Sequence, residues 1–314
     1  MRNVNEEMLK CAAPASPLTS QAYTADGISA YSQAYTADGI SSFLHSHFFH
    51  SFHSFHFFHL SCLVASLLLF WLHDSAAAQT TSSRMIGVGG TNVLDTYLSD
   101  EHFTGMGLSF LATVEYHKPQ RHWTTLMEHE ANLSSVKDRA NKRSELEGAY
   151  NFYIGRLRGW QLLGDRLTLQ AGALANVSLG FIYNTSNGNN PAQARAHLNI
   201  MPTGIASYRF RLLGKPMLAR YELSLPLCGV QFSPNYGQSY YEIFSRGNYD
   251  HNIVPTTFVT APEWRQLLTV DTQLSRRLTL RIGYLGNIQQ SRVNNLRQHI
   301  WTHRALIGFT YQVK

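Results

Sequence analysis

The chain has 314 residues, of which 15% are charged and 12% aromatic, with a formal net charge of +6. A mean hydropathy of −0.20 excludes a bundle of membrane helices, and so many aromatics exclude a disordered chain. An ordinary soluble enzyme has about 25% charged residues, so it too fits poorly.

Residues 1–59 read as a low-complexity leader outside the mature protein. Gln21–Ser29 (QAYTADGIS) recurs at Gln33–Ser41, and Phe43–His59 is almost wholly Ser, Phe and His. Its histidines could bind metal, but simple-sequence drift is the plainer reading. Leu60–Leu72 (LSCLVASLLLFWL) is a 13-residue apolar run. A spanning helix needs about 20 apolar residues; a secretory signal needs about 7–15. Ala76, Ala77 and Ala78 supply the small residues that a signal peptidase accepts. Residues 60–78 are therefore expected to form a signal peptide, cleaved between Ala78 and Gln79. No Lys or Arg lies between Lys10 and the run, which departs from the usual charged start. Without Arg2 and Lys10, and without Glu6, Glu7, Asp26, Asp38 and Asp74, the net charge of 79–314 rises to +9. Those basic residues are scattered, so nucleic acid is not an expected partner. Cys228 is the one cysteine left and cannot form an intrachain disulfide.

From about Met85 onward the apolar residues alternate. Met106, Leu108 and Phe110 oppose Gly107, Ser109 and Leu111; Leu146, Tyr150, Phe152 and Ile154 oppose Glu145, Glu147 and Asn151. In Arg166–Tyr183 the odd positions Leu169, Val177, Leu179 and Phe181 oppose Thr168, Gln170, Asn176 and Ser178. Leu198, Ile200, Tyr208 and Leu212 oppose His197, Asn199, Arg209 and Arg211. Period 2 places neighbours on opposite faces of a strand. These segments are about 11–18 residues long, against about 5–6 for strands in soluble proteins and about 9–11 for a tilted membrane strand. Length thus favours a transmembrane barrel over a soluble sandwich. The barrel must close, because an open edge leaves backbone groups unsatisfied in hydrocarbon.

The expected fold class is all-β: one antiparallel transmembrane β-barrel over 79–314, of about ten strands, with 8 or 12 as alternatives. The strands are placed at 85–98, 103–117, 122–136, 144–154, 166–183, 196–213, 216–232, 262–275, 278–289 and 300–313. Tyr116, Trp123, Tyr183, Tyr208, Trp264 and Trp301 fall near segment ends, where interfacial aromatic girdles form. Connections at 184–195, 233–261 and 290–299 are long and those at 214–215 and 276–277 short, which sets the short turns in the periplasm. The C-terminal strand, with Phe309 and Tyr311, is what a barrel-assembly machinery would engage.

The stretch Gly229–Phe244 (GVQFSPNYGQSYYEIF) and the closing Ile307–Lys314 resemble uncharacterised outer-membrane barrels of the Bacteroidales, a domain-of-unknown-function type. That resemblance covers roughly 86–314 and implies a Gram-negative cell envelope, with no established activity to carry over.

The inward faces carry both signs of charge. Glu128, Glu130, Glu147, Glu222 and Asp271 stand against Arg166, Arg209, Arg211, Arg220, Arg265 and Arg281. A charged, anion-selecting pore is one reading. Paired filling is the preferred one, because barrels of about 8 strands are just wide enough for side chains and porins have about 16. Asn184-Thr185-Ser186-Asn187-Gly188 resembles the His-x-Ser-Asn-Gly pattern of outer-membrane phospholipases, but an asparagine cannot serve as general base. His299 and His303 have a helical ligand spacing, which on a strand separates them by about 13 Å. No metal or cofactor is expected.

Two functions follow. The first is a structural or interaction barrel whose long loops, above all Ser233–Ala261 with Tyr236, Tyr240, Tyr241, Tyr249 and His251, contact a glycan or protein; loop aromatics suit recognition. The second is a lipid-modifying hydrolase, which would need a serine near His251. A narrow channel is a further alternative, and the outer-membrane lipids are the surrounding partner in each.

Overall fold

The computed structural model describes residues 79–117, 122–188, 190–275 and 278–313. The leader, the apolar run Leu60–Leu72 and Ala78 of the expected cleavage site lie outside the described residues. The strands are β1 (Gln79–Asp95), β2 (Ser99–His117), β3 (Trp123–Lys137), β4 (Ser144–Leu162), β5 (Leu167–Asn184), β6 (Ala192–Leu212), β7 (Lys215–Ser224), β8 (Cys228–Phe232), β9 (Ile253–Thr257), β10 (Glu263–Gln273), β11 (Leu278–Val293) and β12 (Leu296–Val313). One short helix, α1 (Tyr240–Phe244), lies between β8 and β9.

Ten of these strands close into an antiparallel barrel in the order β1-β2-β3-β4-β5-β6-β7-β10-β11-β12. Closure is made by β12 on β1, in register from Thr80 opposite Val313 to Asp95 opposite Gln298. The first strand is thus what removes the open edge. The remaining hairpin, β8–β9, extends the sheet upward from β6, whose Ala196–Ile200 pairs β8 while Thr203–Leu212 pairs β7.

Parity decides which side chains face out. Leu108 is 65% exposed while Leu111 is fully buried, and Val177 is 41% exposed beside a buried Asn176. The exterior is a continuous apolar wall (Ile86, Met106, Leu198, Ile282 and Ile307 among others). Trp123 and Tyr208 mark the end near Gln79, and Tyr183 and Trp264 mark the other. That is the banded surface of a membrane barrel. Among the described residues no helix is long and apolar enough to cross a membrane; the crossing is made by strands.

The inside is not uniformly polar. Leu126, Tyr153, Leu157, Leu174, Met201 and Ile205 form one buried cluster, and Met85, Leu111, Leu267, Leu285 and Leu306 another. Inward leucines pack between polar layers, so the lumen is filled as a core.

The end holding Gln79 and Val313 carries tight turns. Leu213 and Gly214 both have positive φ, at 52° and 77°, the conformation of a two-residue hairpin turn that matches strand twist. The opposite end carries the excursion from β7 to β10. The short-turn end is therefore periplasmic.

Several expected boundaries differ. The long loop placed at 290–299 does not exist. β11 and β12 run on to Val293 and Leu296 and are joined by Asn294 and Asn295 at φ 52° and 62°, a two-residue turn that asparagine tolerates. β4 continues to Leu162 rather than ending at 154. The expected strand 216–232 is broken at Leu225–Leu227, where Pro226 lacks an N–H; Leu225 N and Leu227 N still donate to Pro202 O and Ile200 O on β6. β6, with 21 residues, is about 70 Å long at the usual strand rise, so the strands project well beyond a hydrocarbon core about 30 Å thick.

Candidate functional site

Two groups of residues singled out in the sequence come together, one inside the barrel and one above it.

Inside, arginines pair with carboxylates on neighbouring strands, and Arg265 and Arg220 also reach across to the opposite wall. Arg265 on β10 is fully buried. Its Nη2 lies 2.9 Å from Glu128 Oε2, its Nε 3.0 Å from Glu130 Oε2 and its Nη1 3.0 Å from Glu222 Oε1. Its guanidinium also stands 4.4 Å from the centre of the Tyr153 ring, a cation–π contact in a desolvated setting. Arg220 joins Glu222 (3.0 Å) to Glu115. Nearer the periplasm, Arg281 holds Asp271 in a two-pronged pair (2.6 and 2.7 Å) and donates to Ser83. Nearer the outside, Arg195 bridges Glu147 and Gln289.

Of the expected lumen network, Glu128, Glu130, Glu147, Arg220, Glu222, Asp271 and Arg281 are thus in it. Arg209 is not: it is exposed at the periplasmic mouth, where its Nη1 donates to Asp165 O at 3.1 Å. Arg166 and Arg211 are exposed at the same mouth.

Arg304, Arg195, Glu115 and Glu263 were not among the expected members. Arg304 is fully buried and donates to Ser109, Gly90 O, Thr91 and Ser134. A Cβ on Gly107 would stand 2.5 Å from its Nη2, so glycine makes room for the guanidinium there. Arg304 shares the parity of inward Gly308 and Thr310 and was legible on that ground. Arg195 fell one residue outside the expected strand.

The Arg265 and Arg220 bridges span the lumen from β10 and β7 to β3 and β2. Beside Glu147, Asn151 and Asn287 lies a void of about 10 Å³, near the lower limit for a single water. At the periplasmic end a vestibule of about 1590 Å³ opens below Arg220 and Arg281.

Above the barrel, β8, α1 and β9 order the long loop. Ser239 and Glu242 form a reciprocal cap on α1: Glu242 N donates to Ser239 Oγ (3.2 Å) and Ser239 N to Glu242 Oε2 (2.8 Å), a capping box. The Ser239 hydrogen bonds hold the Glu242 carboxyl below its ordinary range. Asn252 and Asn235 tie the loop to itself through Gln238.

Tyr236, Tyr241 and Tyr249 are exposed, with Phe244 and Ile253 beside them in the loop. Tyr240 differs from the sequence expectation. Its hydroxyl donates to Gln193 (2.8 Å) and accepts from Ala194 N (2.7 Å), and its ring packs on Tyr97, Phe232 and Phe244. Burial raises its hydroxyl well above the ordinary value. It anchors the loop to β6 and is not a free contact.

His251 is exposed and paired with Asp250 at 2.7 Å. Among the described residues no serine bonds to it. Asn184 points inward onto Glu145 (3.0 Å), and His299 and His303 have separate partners, Trp301 and Tyr284.

A closed, even-stranded antiparallel barrel with an apolar, aromatic-banded exterior and short turns at one end is a bacterial outer-membrane β-barrel. The chain belongs to the DUF3316 family, proteins of unknown function, whose model matches residues 59–314. No curated protein matches it.

Similar solved structures include the outer membrane protease OmpT from Escherichia coli, at 6% identity and TM-score 0.45, covering 76% of this chain and 99% of that one. The attachment invasion locus protein Ail of Yersinia pestis is 9% identical, at TM-score 0.28 over 75% of this chain and 99% of its own. An outer membrane channel from Pseudomonas putida F1 is 9% identical, at TM-score 0.34 over 76% and 97%. At these scores the likenesses assign no role.

Proposed function

We propose that this barrel is a cell-surface recognition protein whose β8–α1–β9 platform binds a glycan or protein partner. The observation that carries the reading is the ordering of the long loop around half-buried, hydrogen-bonded Tyr240 and capped α1, which leaves Tyr236, Tyr241 and Tyr249 exposed on a fixed frame. Aromatics on a rigid support give large contact area at low entropic cost. Arg246 stands 5.5 Å from the Tyr241 ring and adds a charged group suited to interfaces.

The charge bridges across the lumen favour this reading over a channel, and His251, paired with Asp250 and bonded to no serine among the described residues, gives no support to hydrolysis. The barrel-assembly machinery remains the partner proposed for the C-terminal strand.

The test is binding of purified, detergent-folded protein to a glycan array and to host-surface protein fractions. Joint replacement of Tyr236, Tyr241 and Tyr249 by Ala should abolish the captured species and leave the barrel's thermal transition unchanged. Binding that survives this replacement would remove the platform from the role.

A further inference from the structure

The periplasmic vestibule has a composition that neither filling nor solvation explains. Five arginines line it, Arg166, Arg209, Arg211, Arg220 and Arg281, against the carboxylates of Glu115 and Asp271. Arg220 and Arg281 are the ones bonded to those carboxylates. Among the described residues Arg166, Arg209 and Arg211 have no acidic partner.

These three lie close together because of how β5 and β6 meet. Arg209 N donates to Arg166 O across the strand pair at 2.8 Å. Arg209 and Arg211 are two residues apart on β6 and so share a face, about 7 Å apart along the strand. The Arg209 guanidinium is further steadied by Asp165 O. Neutral donors complete the wall: Thr124 and Gln170 are joined at 3.2 Å and face the same space.

A row of arginines on an outer barrel surface would be read as contacts for lipid head groups. Here the three line the space inside the barrel mouth, away from lipid. The space is concave, with the Arg220–Glu115 and Arg281–Asp271 pairs at its inner end, and a concave basic wall focuses a positive field and raises the local concentration of anions. Guanidinium forks favour bidentate contact with phosphate or carboxylate.

We propose that the vestibule binds, from the periplasmic side, a small oligoanion carrying two or more phosphate or carboxylate groups, held by Arg166, Arg209 and Arg211. The site is a dead end, so the ligand is bound and released at the same mouth and does not cross the membrane.

The test is calorimetric titration of the folded protein in an uncharged detergent at low salt, with tripolyphosphate in one arm and citrate in the other. Saturable one-to-one binding that weakens as salt rises is expected in at least one arm, and the stronger arm identifies the preferred anion. The double variant Arg209→Gln/Arg211→Gln should weaken binding at least tenfold while keeping the gel migration of the folded barrel. Arg143→Gln, a change of an exposed arginine at the opposite end of the barrel, should leave binding unchanged. No saturable binding of either anion, undiminished binding in the double variant, or an equal loss in Arg143→Gln would overturn the proposal.

Discussion

Replacing Arg265 by methionine tests whether the buried charge bridge holds the barrel together. The side chain is fully buried, and three carboxylates lie within 3.0 Å of its nitrogens. Removing one partner of a buried pair costs about 3–5 kcal/mol, because the other charge is left uncompensated. Some compensation survives here: Glu222 keeps Arg220, Glu130 keeps Asn132, and Glu128 keeps Thr113. Three carboxylates nevertheless lose their common partner at once, so the expected loss is about 5 kcal/mol, at the upper end of that range. A lysine cannot reproduce a three-way fork, and Arg265→Lys should recover less than half of the loss. Urea unfolding of the protein in phosphatidylcholine vesicles, followed by tryptophan fluorescence, measures the change. A double-mutant cycle with Glu130→Gln should show coupling of at least about 1 kcal/mol, as contacting residues do. A loss under about 1 kcal/mol, the range of exposed pairs, would refute the bridge as a stabilising element.

Val177→Arg, outward near the middle of β5, should cost about 2–4 kcal/mol in the same assay, and a cysteine there should react with a membrane-dissolved probe but not with a water-soluble one; the reverse labelling would invert the assigned faces. Purified protein in planar bilayers should show no stable conductance, since Arg265 and Arg220 cross the lumen; long-lived openings would contradict the filled interior. Glu242 is held below its ordinary carboxyl value of 4.5 by Ser239, so its contribution to the α1 cap is complete above about that pH and is lost as pH falls through the lowered value. Amide exchange at 240–244, corrected for its intrinsic pH dependence, should quicken on acidification; protection that stays constant to pH 2 would show that the cap does not hold the helix.

Facing was legible where burial alternates along the membrane-crossing strands: Leu108 against Leu111 and Val177 against Asn176 read correctly from alternation alone. Ends were less legible for a physical reason. Beyond the hydrocarbon a strand no longer needs an apolar face, so the tail of β4 through Arg156, Arg158 and Gln161, and that of β11 through Gln289, Gln290 and Arg292, lost the signal while keeping the pairing. The inward charges could be named singly, but not who pairs with whom, since Arg265 meets Glu130 from 135 positions away. Arg209 looked like its neighbours and was set apart only by its height in the barrel. Tyr240 looked like Tyr241, and only its bonds to Gln193 and Ala194 distinguish an anchor from a contact.

Arg304 bears on the order of folding. It sits on the last strand, and apart from a bond to the neighbouring His303 O its guanidinium donates to groups on the first three strands: Gly90 and Thr91, Ser109, and Ser134. Those contacts span 170 to 214 positions, and such distant pairings are the slowest to form. Thr91 and Ser134 bond each other, and Ser109 bonds Asn132, without β12, so it is the guanidinium that must stay hydrated until β12 meets β1, and its desolvation opposes burial of a half-made barrel. An unzipped barrel would thus carry a wet, charged group on its last edge, and the completed ring is the state in which that water is discarded.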